Sequence, residues 1–167
     1  AEAADAGVQD GDAGLDRDAS ERARRLMLDG GNDYVVTGDK AEYYIEGYTT
    51  PPQLVLCGGG HVSRAIARVA APLGFRIMVV DDREEFASRE RFPEAALVVA
   101  RPPDEAIPDL PINANTFVVV ATRGHRYDNV ALAAAAATPA RYVGLIGSKR
   151  KTILIYEDLV RAGVSLE

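Results

Sequence analysis

The chain has 167 residues, of which 47% are hydrophobic and 26% charged, with a net charge of −6; this is the balance of a soluble globular protein large enough for one well-buried core. No apolar run approaches the ~20 residues that span a bilayer, and the N-terminus lacks the basic and apolar blocks of a signal peptide. The single cysteine, Cys57, excludes an intrachain disulfide and a cysteine-rich zinc site, so a cytoplasmic setting without a membrane partner is the default expectation.

The charge is uneven. Residues 1–18 hold six acids and one arginine and carry −5 of the total, so the remainder is near neutral and gives no footprint for nucleic acid. That first stretch is poor in large apolar residues and cannot offset its own ordering entropy. Residues 1–19 are therefore expected as an acidic flexible tail. Ser20 then caps a short helix, ERARRLMLD, stopped by Gly30 and Gly31. YVVTGDKAEYYIEGY reads as two strands around a Gly38-Asp39 turn. Residues 20–50 thus form a helix and hairpin, too small for an independent core, and Pro51-Pro52 separates them from residues 51–167.

From there strand and helix alternate. Continuous apolar runs at 54–57, 76–80, 96–100, 117–121 and 142–146 suit parallel strands buried on both faces. Val62, Ile66, Val69 and Leu73 recur at helical steps before Gly74, residues 130–137 form a small-residue helix, and residues 149–162 a last helix stopped by Gly163. Four prolines in 101–115 predict an irregular crossover. Right-handed connections then give an α/β fold: a Rossmann-like, doubly wound, mostly parallel sheet in three layers, with strand order 3-2-1-4-5.

The first strand runs into Gly58-Gly59-Gly60, which opens a helix, and Asp81 ends the second strand. Gly58 permits the tight turn, Gly60 lets a phosphate approach the backbone, and the helix start offers free N–H groups to an anion. An acid at position 81 suits ribose hydroxyls, while Arg83 leaves a phosphorylated ribose open. The only two histidines, His61 and His125, leave the first and fourth strands, whose gap is the topological switch point. A catalytic pair, a metal site and a hydrogen-bonding frame are all geometrically open to them. No spacing such as H-x-x-x-H occurs, so no metal site is expected. In GLIGSKRK, Ser148 caps a helix whose first turn carries Lys149, Arg150 and Lys151. Cations there oppose the helix dipole at ~0.3–1 kcal/mol each, a cost that a bound anion reverses; an intramolecular ion pair is the competing explanation. Two such anion sites suit an elongated ligand with more than one anionic group.

These motifs resemble the C-terminal Rossmann-like domain of the XdhC/CoxI family, accessory proteins of molybdenum hydroxylases such as xanthine dehydrogenase. The resemblance rests on EYYIEGYTTPPQLVLCGGGHVSRAIA, GFRIMVVDDREEFASRERFP, VVVATRGHRYDNVAL and YVGLIGSKRK, and covers residues 42–167. It implies a protein that binds molybdenum cofactor, assists its sulfuration and delivers it to an apo molybdenum hydroxylase, with a cysteine desulfurase as a further partner. That is a cofactor-handling role more than catalysis, and no catalytic residue is assigned. The resemblance picks out Gly58, Gly59, Gly60, His61, Val62, Asp81, Arg83, Thr122, His125, Asp128, Gly147, Ser148, Lys149 and Arg150 for the cofactor. Relatives usually carry an N-terminal domain, of which residues 20–50 resemble a remnant, and a further segment after the last helix; the chain is thus expected to be a fragment. Thr122-Arg123-Gly124-His125 stands where Thr-His-x-His is usual. Two other readings remain open: an NAD(P)-dependent oxidoreductase with His125 as acid/base and Asp81 on the ribose, and a nucleotide-sensing regulatory domain. A homodimer is open as well.

Overall fold

The computed structural model describes residues 13–36, 42–161 and 163, and the chain divides into two compact units, Ala1–Thr50 and Pro51–Glu167. In the first, helix α1 (Ala13–Asp29) is followed by strands β1 (Gly31–Val36) and β2 (Glu42–Gly47). The strands pair antiparallel with Tyr34 opposite Tyr44. Gly30 and Gly31 adopt positive φ, and the Gly30 N–H closes the helix on the Leu26 carbonyl at 2.7 Å.

Helix α1 starts at Ala13 rather than at Ser20, which corrects the expected extent of the tail. The reason is a set of contacts that composition does not reveal. Asp18 accepts from Arg22 one helical turn on and from the Tyr43 hydroxyl of β2, while Arg22 also donates to Asp33 of β1 at 2.8 Å. Ordering the extra turns is offset by anchoring them to the hairpin. Residues 1–12 of the expected tail and the Gly38-Asp39 turn lie outside the described residues.

The second unit holds β3 (Gln53–Cys57), α2 (His61–Ala70), β4 (Arg76–Asp81), β5 (Leu97–Ala100), α3 (Pro103–Ala106), β6 (Thr116–Val120), α4 (His125–Ala136), β7 (Tyr142–Leu145) and α5 (Lys149–Arg161). Short 3₁₀ turns follow α2 and α3. The sheet runs β5-β4-β3-β6-β7, with every pair parallel. This is the 3-2-1-4-5 order of a doubly wound Rossmann-like fold.

Side-chain alternation along the strands divides the core in two. Val55, Cys57, Met78, Val118 and Val120 meet Ile107, Leu132, Ala135, Ile155 and Leu159 from the α3–α5 side. Leu54, Leu56, Ile77 and Val79 meet Ala67 and Ala70 of α2, with Phe92 and Ala95 from the loop after β4. The apolar stripe that marks α2 in the sequence is not the face it buries. Ser63, Ala67 and Ala70 pack down, whereas Val69 and Leu73 stay 66% and 68% exposed. Small side chains let the helix approach the strands closely, and that close approach turns the large ones aside. Among the described residues no helix is long and apolar enough to cross a membrane.

Candidate functional site

Parallel order sends the β3–α2, β4–β5, β6–α4 and β7–α5 connections to one edge of the sheet, the C-terminal ends of its strands. At its centre β3 runs into the three glycines. Gly58 has φ +103 and its Cβ would lie 2.5 Å from the Ala121 carbonyl oxygen, so a side chain is excluded by both conformation and space. Its N–H donates to the Val80 carbonyl at 2.7 Å, and Ala121 N–H donates to the Cys57 carbonyl at 2.8 Å. The turn is thereby stitched to both neighbouring strands.

Gly59 is closed in from above. A Cβ there would sit 2.1 Å from the Phe86 carbonyl oxygen, its N–H donates to Asp81 Oδ2 at 2.7 Å, and its carbonyl accepts from Arg91 Nε at 2.7 Å. Gly60 differs: a Cβ would meet nothing within 4 Å. It forms the N-cap of α2 in an extended conformation, with no side-chain hydrogen bond capping the helix. His61 and Val62 follow as exposed residues of the first turn. The helix start at Gly60, His61 and Val62 is where an anion can reach backbone donors. One position on, Ser63 is fully buried and its Oγ has no hydrogen-bond partner among the described residues.

Asp81 ends β4 with 4% exposure. Oδ2 accepts from Gly59 N and from Arg83 Nη2 at 2.9 Å; Oδ1 accepts from Arg83 N at 3.0 Å and Arg83 Nε at 2.9 Å. Four bonds exhaust the acceptor sites of a carboxylate. Burial disfavours its ionised form, but the Arg83 guanidinium and the two backbone N–H groups outweigh burial and hold the carboxyl below its usual range. The hydrogen bond to Asp81 in turn raises the Arg83 pKa. Arg83 also lies 3.5 Å from the Phe86 ring centroid, a cation–π contact that fixes its plane.

The β6–α4 connection forms a second cluster. Asp128, fully buried, accepts from Thr122 N at 3.2 Å and Thr122 Oγ1 at 2.5 Å through Oδ1. Its other oxygen pairs with the ammonium of Lys151 in the first turn of α5. One cation of the basic cluster therefore has an internal partner, as the ion-pair explanation requires. Lys149 and Arg150 are exposed and make no ion pair among the described residues. Ser148 caps this helix, accepting from Lys151 N at 3.3 Å through Oγ, and Gly147 precedes it as an exposed residue. Arg123 reaches across the β3 end to Asp82 Oδ2 at 2.7 Å, joining the loops after β4 and β6. Gly58, Asp81, Arg83, Thr122, Arg123 and Tyr127 line the small cavity beneath that bridge.

His61 and His125 each occupy the first position of a helix, α2 and α4, leaving the adjacent strands β3 and β6. Their backbones thus flank the switch point, while the His125 side chain lies outside the described residues. Cys57 is fully buried at the end of β3, and burial pushes its thiol up to about 12, so it is neutral near pH 7. Arg91, Phe86 and the Asp82–Arg123 bridge were not singled out by sequence reasoning. Arg91 contacts a carbonyl 32 residues away, and no local pattern announces such a pair.

Residues 54–167 match the family profile described as the XdhC Rossmann domain. The chain is 37% identical over 131 residues to the uncharacterized protein YqeB of Escherichia coli strain K12, covering 78% of this chain and 24% of that protein. It is 27% identical over 109 residues to a probable xanthine dehydrogenase subunit of Bacillus subtilis strain 168, covering 65% of this chain and 33% of that protein. The chain therefore spans about a quarter and a third of these two relatives. A crystal structure of a xanthine dehydrogenase from Bacillus halodurans superposes with a TM-score of 0.60 at 17% identity, over 88% of this chain and 57% of that one, a likeness of fold.

Proposed function

This chain belongs to the XdhC family, and from that membership we propose that it acts as an accessory protein of a xanthine dehydrogenase-type molybdenum hydroxylase, binding molybdenum cofactor and assisting its sulfuration and insertion. The observation that carries the reading is the pairing of an open backbone cradle at Gly60 with exposed Lys149 and Arg150. Both lie on the C-terminal edge of the sheet, and β3 and β7 flank β6, a separation of about 10 Å at ordinary strand spacing. An elongated ligand with a phosphate matches that span and charge, and the Ser63 hydroxyl, without a hydrogen-bond partner among the described residues, adds a polar group beside the cradle.

The N–H groups of the first turn of α2 would hold the phosphate, and Lys149 and Arg150 would neutralise the distal anionic part. Bound molybdenum cofactor supplies the metal centre that the recipient hydroxylase needs. The chain's own residues bind and orient; Thr122, Asp128 and Lys151 keep the α4 and α5 starts in register. The NAD(P) alternative calls for an acceptor with open lone pairs at the end of β4, and Asp81 has already used both oxygens on Gly59 and Arg83.

Paired titration calorimetry tests the reading, with molybdenum cofactor under anaerobic conditions and with NADH, on the wild type and on Gly60→Val and Lys149→Glu. The expected result is cofactor binding weakened at least tenfold in each variant and no heat with NADH. Binding of NADH alone would overturn the proposal in favour of a dehydrogenase or nucleotide sensor.

A further inference from the structure

The crevice at the C-terminal edge of the sheet has two sides, and they are built differently. In a doubly wound sheet the phosphates of a nucleotide lie on the glycine turn, and its ribose sits at the end of the following strand, where an acid accepts from the hydroxyls. Here that strand is β4, and its end carries a chain of four side chains alternating in charge. Arg83 Nε donates to Asp81 Oδ1 at 2.9 Å and lies 3.9 Å from Asp82 Oδ1. Asp82 Oδ2 in turn accepts from Arg123 Nη2 at 2.7 Å. Two carboxylates and two guanidiniums cancel, so this side offers an anion no net attraction.

The first three residues belong to one loop. The link to Arg123 crosses the end of β3 and ties that loop to the one after β6. Tyr127 steadies the arginine, with its ring centroid 5.0 Å from the guanidinium carbon and its hydroxyl 3.4 Å from Nη2. Beneath the link, the cavity lined by Gly58, Asp81, Thr122 and Tyr127 has a volume of about 10 Å³, room for about one water. Pockets that enclose an organic ligand measure roughly 300–1,000 Å³. Phe86, whose ring could stack on a base, already meets Arg83 at 3.5 Å and Arg91 at 4.9 Å. A ribose would find Asp81 without a free acceptor and would have to part Asp82 from Arg123 to enter. Toward β7 the situation is reversed: Lys149 and Arg150 are exposed and make no ion pair among the described residues.

We propose that the Asp82–Arg123 link closes the β4 side of the crevice to nucleosides, so that the site selects a compact phosphorylated ligand, one without a nucleoside, running from the α2 cradle toward β7. This deepens the phosphate-cradle reading given above, on which it rests, by stating what the ligand must lack. Asp82 and Arg123 are then specificity-determining residues that act by exclusion.

Titration calorimetry of the whole chain with inorganic pyrophosphate and with adenosine 5′-diphosphate is the test. Both probes carry a diphosphate, so the ratio of their affinities isolates the nucleoside. Wild type is expected to bind the adenosine probe no tighter than pyrophosphate. Asp82→Ala and Arg123→Ala each remove the link, and each is expected to shift the ratio about fivefold towards the adenosine probe, a size that a partly exposed ion pair can withhold. A change in the overall field would instead move both probes together, in opposite directions for the two variants, and leave the ratio alone. Circular dichroism confirms the fold of each variant, and either one suffices. A wild type that binds the adenosine probe at least fivefold tighter, or a ratio unchanged in the folded variants, would overturn the selection while the cradle stands. Binding of neither probe by the wild type would remove the cradle itself, and the selection with it.

Discussion

Two turns leave the same edge of the sheet and open helices in the same way, yet they spend their polar groups differently. At β3–α2 the residues that look most like ligand contacts serve the fold. Asp81 is saturated by Gly59 and Arg83, Gly59 is covered by Phe86 and Arg91, and only the backbone from Gly60 onward stays accessible. At β7–α5 one cation, Lys151, is taken by buried Asp128, while Lys149 and Arg150 remain exposed. The first turn is a rigid cradle held by internal bonds, and the second is a charged arm with little internal commitment. A glycine triplet followed by an acid therefore reports geometry more reliably than it reports a ligand.

The largest effect that would sharpen this contrast comes from Asp81→Ala. Breaking a buried, hydrogen-bonded ion pair costs about 3–5 kcal/mol, and chemical denaturation is the measurement. The pH dependence follows with a definite sign. The folded carboxyl lies below its ordinary value of 3.8, so its contribution is present above that value and is lost as pH falls through the folded pKa. An Asp81→Asn protein should lack that part of the acid dependence; an unchanged acid limb would remove Asp81 from its structural role.

Next comes a pair within the turn. Gly59→Ala drives a Cβ into the Phe86 backbone and should cost about 3 kcal/mol. Gly60→Ala meets open space and should stay within about 0.5 kcal/mol of wild type. Equal melting temperatures would erase the distinction between the closed and open halves of the turn.

Cys57, just before the glycines, gives a smaller effect on the alkaline side. Its thiol rises from an ordinary 9.0 to about 12, so the folded state prefers the neutral form. Stability from this group is complete below pH 9 and declines as pH rises towards 12, by about 1.4 kcal/mol per pH unit inside that window. Cys57→Ala should show a flatter alkaline limb, and the native thiol should resist labelling until denaturant is added. Rapid labelling of the native protein at neutral pH would show the thiol to be accessible after all.

The smallest stability effect belongs to the exposed arm. Lys149→Glu replaces a cation at a helix start with an anion and should raise stability by about 0.3–1 kcal/mol, while weakening binding of inorganic pyrophosphate in the same preparation. A loss of stability would show that Lys149 has a structural duty like that of Lys151.

Much of the fold is legible in the sequence, for physical reasons. The five apolar runs predict the five parallel strands because strands buried on both faces have no polar side to alternate with. Gly30, Gly74 and Gly163, all at positive φ, mark chain reversals because few other residues adopt that conformation without strain. The helix start before Ser20 is not legible, since it depends on Arg22 meeting Asp33 and Asp18 meeting Tyr43 across the hairpin. The orientation of α2 is hidden too: the large residues suggest a buried stripe, and the small ones Ser63, Ala67 and Ala70 take the sheet.

What the amino-acid order determined alone was the succession of strands, turns and helices, and with it the strand order, because period, glycine and proline act over a few residues. Tertiary structure alone decided which polar groups remain for a ligand. Asp81 and Lys151 carry full charges in the sequence, yet each is neutralised by a partner that folding brings within contact. Lys149 and Arg150, two and one residues before Lys151, are left to solvent. A charge is available for binding only when no nearer charge has already claimed it, and nearness here is set by the sheet, not by the chain.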